Sequence, residues 1–428
     1  MISHEKRLII ANCMRTAAAA FGGYFVAKWT IGFDDALQKF VLQFLTQIIP
    51  HVVIYYVMLK LASKIRISYI FGISMIFTLL AYLAFFLLAY AGSALYANIV
   101  YGFLSGLAGG TYWCSYNNIV LNNIREGTRR KYLSVNGAGT LAFSVGAPAV
   151  MSVIVLIFGQ TVNIPPIVYN VFFGAAAAFI LAAGIIAFTI RLEKYPVPFK
   201  LKGKFFSRAD KEWNSMLLYS YFSGAVSGVS GSIAIIFLMM FAAYSQSVYL
   251  IALSASILVS SLASYLFKSL KLKNRTFYIL IIALEAAVYI AAGFVYGVTI
   301  PLIFCILFML VKTVTENLRL PLEIICHTKL ITKYKAAESN ISARYFVREL
   351  FIIAGRFTSA AAILTAGIFI AEKSRILLAA FLGFVLANIP AVIFYLKLKD
   401  VPAEAGASVI NTNDAPNVLT ADNVREDV

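Results

Sequence analysis

The chain has 428 residues, of which 61% are hydrophobic and only 13% are charged, and its mean hydropathy is +0.84. Soluble domains are about 45–50% apolar and about 25% charged, so this composition excludes an ordinary soluble protein. The formal net charge of +17 does not indicate a nucleic-acid partner, because the basic residues lie in alternate loops between apolar segments.

Apolar segments of membrane-spanning length follow one another along the whole chain. The first continues to Trp29, which is too long for the apolar core of a cleaved signal peptide, so we expect a transmembrane helix there. The predicted helices cover about residues 8–31, 38–60, 67–91, 94–119, 132–158, 165–190, 215–242, 247–267, 276–298, 300–326, 342–370 and 376–396. This pattern predicts an all-α polytopic membrane protein with about 12 transmembrane helices.

Basic residues are concentrated in the even-numbered connections between these helices. Those connections contain Lys60 to Arg66, Arg125 to Lys131, Arg191 to Lys211, Lys268 to Arg275, and Lys329 to Lys335. Odd-numbered loops such as AYAGSAL and GQTVNIPP contain neither lysine nor arginine. This asymmetry predicts that both termini are cytoplasmic and that the basic loops contact anionic lipid headgroups of the cytoplasmic (inner) membrane.

A long polar connection divides the chain into two halves. The predicted units are a six-helix bundle at 1–190, a cytoplasmic basic linker at 191–214, a second six-helix bundle at 215–398, and a disordered cytoplasmic tail at 399–428. The halves repeat each other, since LKLASKIRISYIFGI and FKSLKLKNRTFYILI occupy matching positions after the second helix of each. Two six-helix pseudo-repeats with a site between them are typical of secondary transporters.

Two short motifs carry a resemblance to a known family. The turn Lys60-Leu-Ala-Ser-Lys64-Ile-Arg66 and the fifth-helix Gly146-Ala147-Pro148, together with the six-plus-six layout, resemble the major facilitator superfamily over about residues 6–398. The turn keeps the basic end of the family's Gly-x-x-x-Asp-x-x-Gly-Arg-Arg motif but lacks its glycines and its aspartate. The resemblance implies the fold and the transport class, and it identifies no subfamily.

The tenth predicted helix carries charges inside apolar sequence. Lys312, Glu316, Arg319 and Glu323 are spaced i, i+4, i+7 and i+11 in KTVTENLRLPLE, so they share one helix face. Ionisable groups at membrane depth usually face a bundle interior or a water-filled cavity. The stripe therefore indicates a polar route through the membrane, or else two neutral i, i+4 pairs that hold helix packing.

Helices one and eleven carry further charges at a similar depth. Arg348 and Arg356 could present fixed positive charge to an anionic substrate, or could pair with Glu349 or Glu316. Arg15 lies at a depth compatible with a pair to Glu316 or Glu349. Near the start of the eleventh helix, an arginine at position 344 is expected to reach the lipid headgroups.

The fourth helix combines small and aromatic residues. Gly102, Gly106 and Gly110 form a small-residue face that predicts close helix packing. Beyond it lie the candidates for substrate contact, whose alternative role is interfacial anchoring: Tyr112, Tyr116 and Asn117, joined by Asn136 on the fifth helix. Glu285 is a lone carboxylate in its helix, either a proton-coupling group or a neutral acid exposed to lipid.

These features predict a secondary active transporter that moves a small solute by alternating access. No phosphate-cradling loop is present, so an ion gradient is the expected energy source, with Glu316, Glu323 and Glu349 as candidate protonation sites. The excess of basic over acidic residues within the helices favours an anionic or zwitterionic solute. We expect a monomer that is not an enzyme, with a proton or another coupling ion, with membrane lipids around it, and with no cofactor or metal.

Two other readings of the sequence stay open. One is a lipid or polysaccharide flippase of another 12-helix fold, which would have a laterally open, basic cavity. The other is a non-transporting polytopic membrane protein, either a scaffold or an enzyme. An enzyme that handles lipid-linked substrates would be expected to carry histidine or aspartate clusters in its loops, whereas the three histidines here are scattered.

Overall fold

The computed structural model describes residues 3–31, 36–120, 124, 126–158, 166–192, 201, 204–206, 210–240, 246–267, 274–295, 302–315, 318–319, 341–369 and 373–398. Within these ranges the regular structure is entirely helical, in agreement with the prediction of an all-α protein of twelve helices. The helices are α1 (Ser3–Ile31), α2 (Ala36–Leu61), α3 (Ile67–Tyr90), α4 (Ala94–Asn118), α5 (Glu126–Phe158), α6 (Pro166–Thr189), α7 (Lys211–Met240), α8 (Gln246–Phe267), α9 (Asn274–Val295), α10 (Leu302–Thr315), α11 (Ile341–Phe369) and α12 (Lys373–Lys397).

Several helices begin earlier than their apolar segments do. Helix α5 starts at Glu126 rather than at residue 132, and α1 starts at Ser3 rather than at residue 8. Each extension contains charged residues, which hydropathy assigns to loops. Because the backbone hydrogen bonds of a helix do not depend on side-chain polarity, the helix continues past the apolar segment into the polar sequence.

Among the described residues, five helical segments are long and apolar enough to cross a membrane by length and composition, as expected for an integral membrane protein: Gln38–Leu61, Ile67–Tyr90, Val135–Ile157, Asn170–Thr189 and Ser342–Ala366. Large apolar side chains point away from the protein, and Ile157, Ile185 and Ile303 are each about two-thirds exposed. Such an outer surface fits contact with lipid rather than with water.

Hydrogen bonds between helix termini define the two ends of the bundle. Arg7 Nη1 at the start of α1 donates to the carbonyl oxygen of Thr189 at the end of α6, at 3.3 Å. At the other end, the Tyr90 hydroxyl at the end of α3 donates to Asn170 Oδ1 at the start of α6, at 2.7 Å. The end that contains Arg7 and Thr189 is called the linker end, and the end that contains Tyr90 and Asn170 is called the opposite end.

The described part of the linker folds onto the start of α7. Trp213 is buried, its indole Nε1 donates to the carbonyl oxygen of Lys204 at 2.9 Å, and its backbone N–H donates to Asp210 Oδ1 at 3.0 Å. Arg344 lies over the Trp213 ring with Cζ 4.7 Å from the centroid, and its Nη1 is 3.9 Å from Asp210 Oδ2. The expectation that Arg344 reaches the headgroups is therefore wrong, because this side chain is buried against the linker.

The helices pack mainly within each half of the chain. In the first half α2 and α3 pack on α4, and α1 packs on α5 and α6; in the second half α7 packs on α11 and α12, and α9 packs on α12. The two halves meet where α2 packs on α11 and where α5 packs on α8. The α2–α11 contact is called the seam. The bounds predicted for the domains stay a prediction, and the tail at 399–428 lies outside the described residues.

The glycine face of α4 packs directly on the α2 backbone, as predicted. A Cβ atom at Gly102 would meet the carbonyl oxygen of Gln43, and one at Gly106 would meet that of Gln47. Only glycine permits this approach, so the stripe fixes the spacing between α2 and α4. That contact holds the tyrosines of α4 and the histidine of α2 in fixed positions relative to each other.

Candidate functional site

Four polar side chains from α1, α4 and α5 form one hydrogen-bonded chain inside the first half. The Tyr112 hydroxyl donates to Asn12 Oδ1 at 2.8 Å, and Asn12 Nδ2 donates to Asn136 Oδ1 at 3.0 Å. Asn136 Nδ2 then donates to the Tyr116 hydroxyl oxygen at 3.5 Å. Together with Arg15, these residues are called the amide–tyrosine cluster. Buried polar groups with mutual partners form a rigid unit.

Arg15 covers the aromatic part of this cluster. Its guanidinium carbon lies 3.5 Å from the centroid of the Tyr112 ring, a cation–π contact, and the Tyr112 and Tyr116 rings stack with centroids 5.6 Å apart. The Nε atom of Arg15 is buried and has no hydrogen-bond partner among the described residues. A buried guanidinium nitrogen without a partner is a donor available to a ligand.

Local backbone features hold the two asparagines in place. A Cβ atom at Gly139 of α5 would lie 2.6 Å from the sulfur of Cys13, so this glycine lets α1 and α5 approach closely. The threonine one turn after each asparagine donates to its carbonyl oxygen: Thr16 to that of Asn12 at 2.9 Å and Thr140 to that of Asn136 at 3.0 Å. From the start of α1, Asn12 lies about 14 Å into the bundle.

The sequence predicted Arg15, Tyr112, Tyr116 and Asn136 separately, and the structure brings them together. Asn12 was missed. A signal for it exists, because an asparagine three residues before Arg15 shares its helix face and is unusual in an apolar helix.

Asn117 does not join the cluster. Its Nδ2 donates to the Tyr55 hydroxyl of α2 at 3.4 Å, so it faces the seam instead. Near Asn117, the hydroxyl of Ser342 at the start of α11 donates to Asn118 Oδ1 at 2.8 Å. These contacts connect the end of α4 with both helices of the seam.

A titratable pair lies in the seam itself. His51 Nε2 of α2 is 3.6 Å from Glu349 Oε1 of α11, and the two side chains are only 5% and 9% exposed. The rings of His51 and Tyr55 stack, with centroids 6.5 Å apart, and Tyr55 packs on Phe346 of α11 at 5.6 Å. Glu349 was a sequence candidate, but His51 was not. The pair joins the two halves about 12–15 Å from the linker end.

The arginines of α11 flank this pair. Arg348 and Arg356 both lie within electrostatic range of Glu349. Arg356 Nε donates to the Ser227 hydroxyl of α7 at 3.0 Å, whereas Arg348 Nε is buried and makes no hydrogen bond within the described ranges. The predicted contact of these arginines with Glu349 is therefore electrostatic, and Arg348 keeps a donor available.

The charged stripe is only partly described. Arg319 is buried and makes an ion pair with Glu285 of α9, with Nη1 and Oε2 3.0 Å apart. The expectation of Glu285 as a lone or lipid-exposed acid is therefore wrong. Lys312 is a half-buried residue of α10, and Glu316 and Glu323 lie outside the described residues.

The sequence predicted that Arg15 pairs with either Glu316 or Glu349. Arg15 does not pair with Glu349. Its guanidinium lies on Tyr112, and Glu349 contacts His51 instead. The alternative partner of Arg15, Glu316, lies outside the described residues. Among the described residues, the charges expected to form one network lie in three places: Arg15 in the amide–tyrosine cluster, Glu349 with its arginines at the seam, and Arg319 with Glu285.

Comparison with known proteins gives matches at the level of structure only. No protein-family model matches the sequence, and no curated protein matches it. A bacterial homologue of the iron transporter ferroportin in the inward-facing state is 12% identical with a TM-score of 0.66, over 93% of this chain and 99% of that one. The nucleoside transporter NupG is 14% identical with a TM-score of 0.61, over 93% and 100% of the two chains. A bacterial homologue of the human lysosomal transporter Spinster is 17% identical with a TM-score of 0.56, over 93% and 98%.

The chain has the major facilitator fold. These identities show the fold and nothing finer, so the solutes of the three transporters are not transferred to this chain. In this major facilitator fold the two polar groups of residues occupy different places. The amide–tyrosine cluster lies within the first half. The His51–Glu349 pair lies between the halves, where a relative movement would separate it.

Proposed function

We propose that the chain is a secondary active transporter that moves a small solute across the cytoplasmic membrane by alternating access, with protons as the coupling ion. The single observation that carries this proposal is the buried His51–Glu349 pair, with its atoms 3.6 Å apart across the seam. A pair in this position has to be remade or broken whenever one half rotates against the other. It therefore connects a protonation state to a conformation.

The coupling follows from the electrostatics of burial. Separating a buried acid from its partner leaves an uncompensated charge, which costs about 3–5 kcal/mol. A proton on Glu349 removes that charge, so the protonated protein opens the seam more readily than the deprotonated one does. Glu316 and Glu323 remain proposed protonation sites from the sequence, alongside Glu349.

The orientation of the proposed transporter follows from the basic loops. We place the linker end, both termini and the basic connections on the cytoplasmic side, since lysine and arginine concentrate there. The seam then closes the cytoplasmic half of the bundle. We further propose that the protein works as a monomer and that its basic loops bind anionic lipid headgroups.

Transport in proteoliposomes tests this function. Purified protein is reconstituted and screened for uptake of a solute library, with and without an imposed pH gradient. We expect at least one solute to accumulate only with the gradient. The Glu349→Gln variant should still exchange solute across the membrane but should lose gradient-driven accumulation, because its side chain cannot take up a proton.

Glu212→Gln is the matched control, since Glu212 lies in the first turn of α7, a helix that does not form the α2–α11 seam. Accumulation that survives in Glu349→Gln would show that this carboxylate is not the coupling site. If no solute moves under any gradient while labelled lipids are translocated, the hypothesis of a lipid flippase replaces that of a small-solute transporter.

A further inference from the structure

The hydrogen bonds of the amide–tyrosine cluster all run in one direction. Tyr112 donates to Asn12, Asn12 donates to Asn136, and Asn136 donates to the oxygen of Tyr116. Each of the two amide oxygens, and the final hydroxyl oxygen, therefore already accepts a hydrogen bond. Each of these oxygens accepts one bond and keeps a second lone pair, so the chain of bonds leaves both donors and acceptors for a ligand.

The donors left over include one on Arg15 and one on Tyr116. Arg15 Nε is buried without a hydrogen-bond partner in the described part of the chain. Tyr116 accepts from Asn136, which leaves its own hydroxyl hydrogen to donate, and Arg15 lies within electrostatic range of this phenol. A site that offers donors beside a fixed positive charge favours a ligand that accepts hydrogen bonds and carries negative charge.

We propose that the cluster binds the carboxylate group of a monoanionic solute, held by Arg15 Nε and the Tyr116 hydroxyl. The inference rests on the proposed transport function and narrows its substrate to one chemical class. Arg15 supplies the cluster's one positive charge, which matches one negative charge. A phosphate dianion would leave its second charge without a partner in a buried site.

The same geometry disfavours a zwitterion at this cluster. The cluster consists of two asparagines, two tyrosines and Arg15, so it has no negative charge to pair with an ammonium group. Asn12 and Arg15 also lie about 14 to 18 Å from the start of α1. A bound carboxylate would thus sit inside the bundle, at about the depth of the His51–Glu349 pair.

Equilibrium binding to the purified protein in detergent tests the site without requiring transport. The probes are propanoate, pyruvate and benzoate, each compared with its own amide and with methyl phosphate, and the readout is ligand-dependent thermal unfolding. At least one carboxylate should bind, and its amide and methyl phosphate should bind at least about ten-fold more weakly. Arg15→Ala should weaken that binding by about 10- to 100-fold, and Tyr116→Phe by about 3- to 10-fold.

Tyr90→Phe is the matched control, because it removes a hydroxyl at the opposite end of the bundle and should leave the affinity unchanged. If Arg15→Ala does not fold, Arg15→Lys keeps the charge but loses the Nε donor, and it should bind more weakly than the unaltered protein. The proposal is overturned if no probe acid binds, if methyl phosphate or the amides bind more tightly, or if Tyr116→Phe and the Arg15 variants bind as well as the unaltered protein.

The two proposals fail in different ways. An acid that binds as expected but is not moved in proteoliposomes under any gradient keeps the carboxylate site and overturns the transport function. Gradient-driven uptake of solutes that lack a carboxylate, with no competition by the probe acids, keeps the transport function and overturns the site.

Discussion

The amide–tyrosine cluster of the first half and the buried charges of the second half differ in kind. In the first half, the amide–tyrosine cluster consists of neutral amides and phenols with one cation, Arg15, over a ring. In the second half, the described buried groups include full ionic charges: Arg319 with Glu285, and Glu349 beside the seam. Neutral networks leave their hydrogen-bonding capacity open to a ligand, whereas a close ion pair satisfies itself.

This difference suggests that the two halves of the chain have different roles. The first half contains the preformed amide–tyrosine cluster, in which Arg15 Nε has no hydrogen-bond partner among the described residues. The described residues of the second half include the Glu285–Arg319 ion pair, which joins α9 to the residues after α10, and the Glu349 carboxylate, which contacts the other half. Binding would then occur mainly on one side of the seam and coupling on the other. The predictions below separate these roles by their effects on stability.

The largest effect is expected at the ion pair of the second half. Glu285→Ala leaves the Arg319 guanidinium buried without its acid, which should destabilise the protein by about 3–5 kcal/mol. Thermal unfolding and the yield of monodisperse protein in detergent measure this. The double variant Glu285→Leu with Arg319→Met removes both charges and should recover most of the loss. A single variant as stable as the unaltered protein would contradict a structural role for the pair.

A smaller effect is expected at the glycine face of the first half. In Gly106→Ala the new Cβ would meet the carbonyl oxygen of Gln47, so α2 and α4 must move apart, at a cost of about 1–3 kcal/mol. Gly137→Ala is the matched control, because nothing lies within 4 Å of its Cβ position. That control should be neutral or slightly stabilising, as alanine favours helix. Equal melting temperatures for the two variants would show that the glycine stripe does not set the helix spacing.

Features that depend on the local sequence could be predicted, whereas contacts between distant residues could not. Twelve helices were predictable because hydropathy and length act locally along the chain. Arg15 and Tyr112 were predictable as candidates because charged and aromatic residues stand out in apolar helices. Their mutual contact was not, since the rotation of α1 relative to α4 depends on packing that one sequence does not specify.

The pairs between helices were the least predictable feature. Glu285 and Arg319 are separated by 34 residues and lie on different elements, so neither residue's spacing points to the other. The i, i+4 rule suggested pairs within the stripe and therefore drew attention away from α9. His51 was overlooked for a similar reason: a single histidine in an apolar helix gains meaning only when Glu349 is placed 3.6 Å from it.

Tyr112→Phe is expected to change stability the least. It is also the most direct test of how the two halves differ. This change removes the donor to Asn12 Oδ1, a bond worth about 1 kcal/mol, and leaves the Arg15 contact with the ring in place. The lone pair that is freed on the amide oxygen adds an acceptor beside the donors of the cluster. Carboxylate affinity should therefore fall while affinity for the matching amide rises, as read by ligand-dependent unfolding. Tyr90→Phe deletes a comparable but exposed hydrogen bond and should change neither. If both phenylalanine variants kept the same preference for acid over amide, the direction of the hydrogen bonds would not control ligand choice. The two halves would then differ only in how their helices pack.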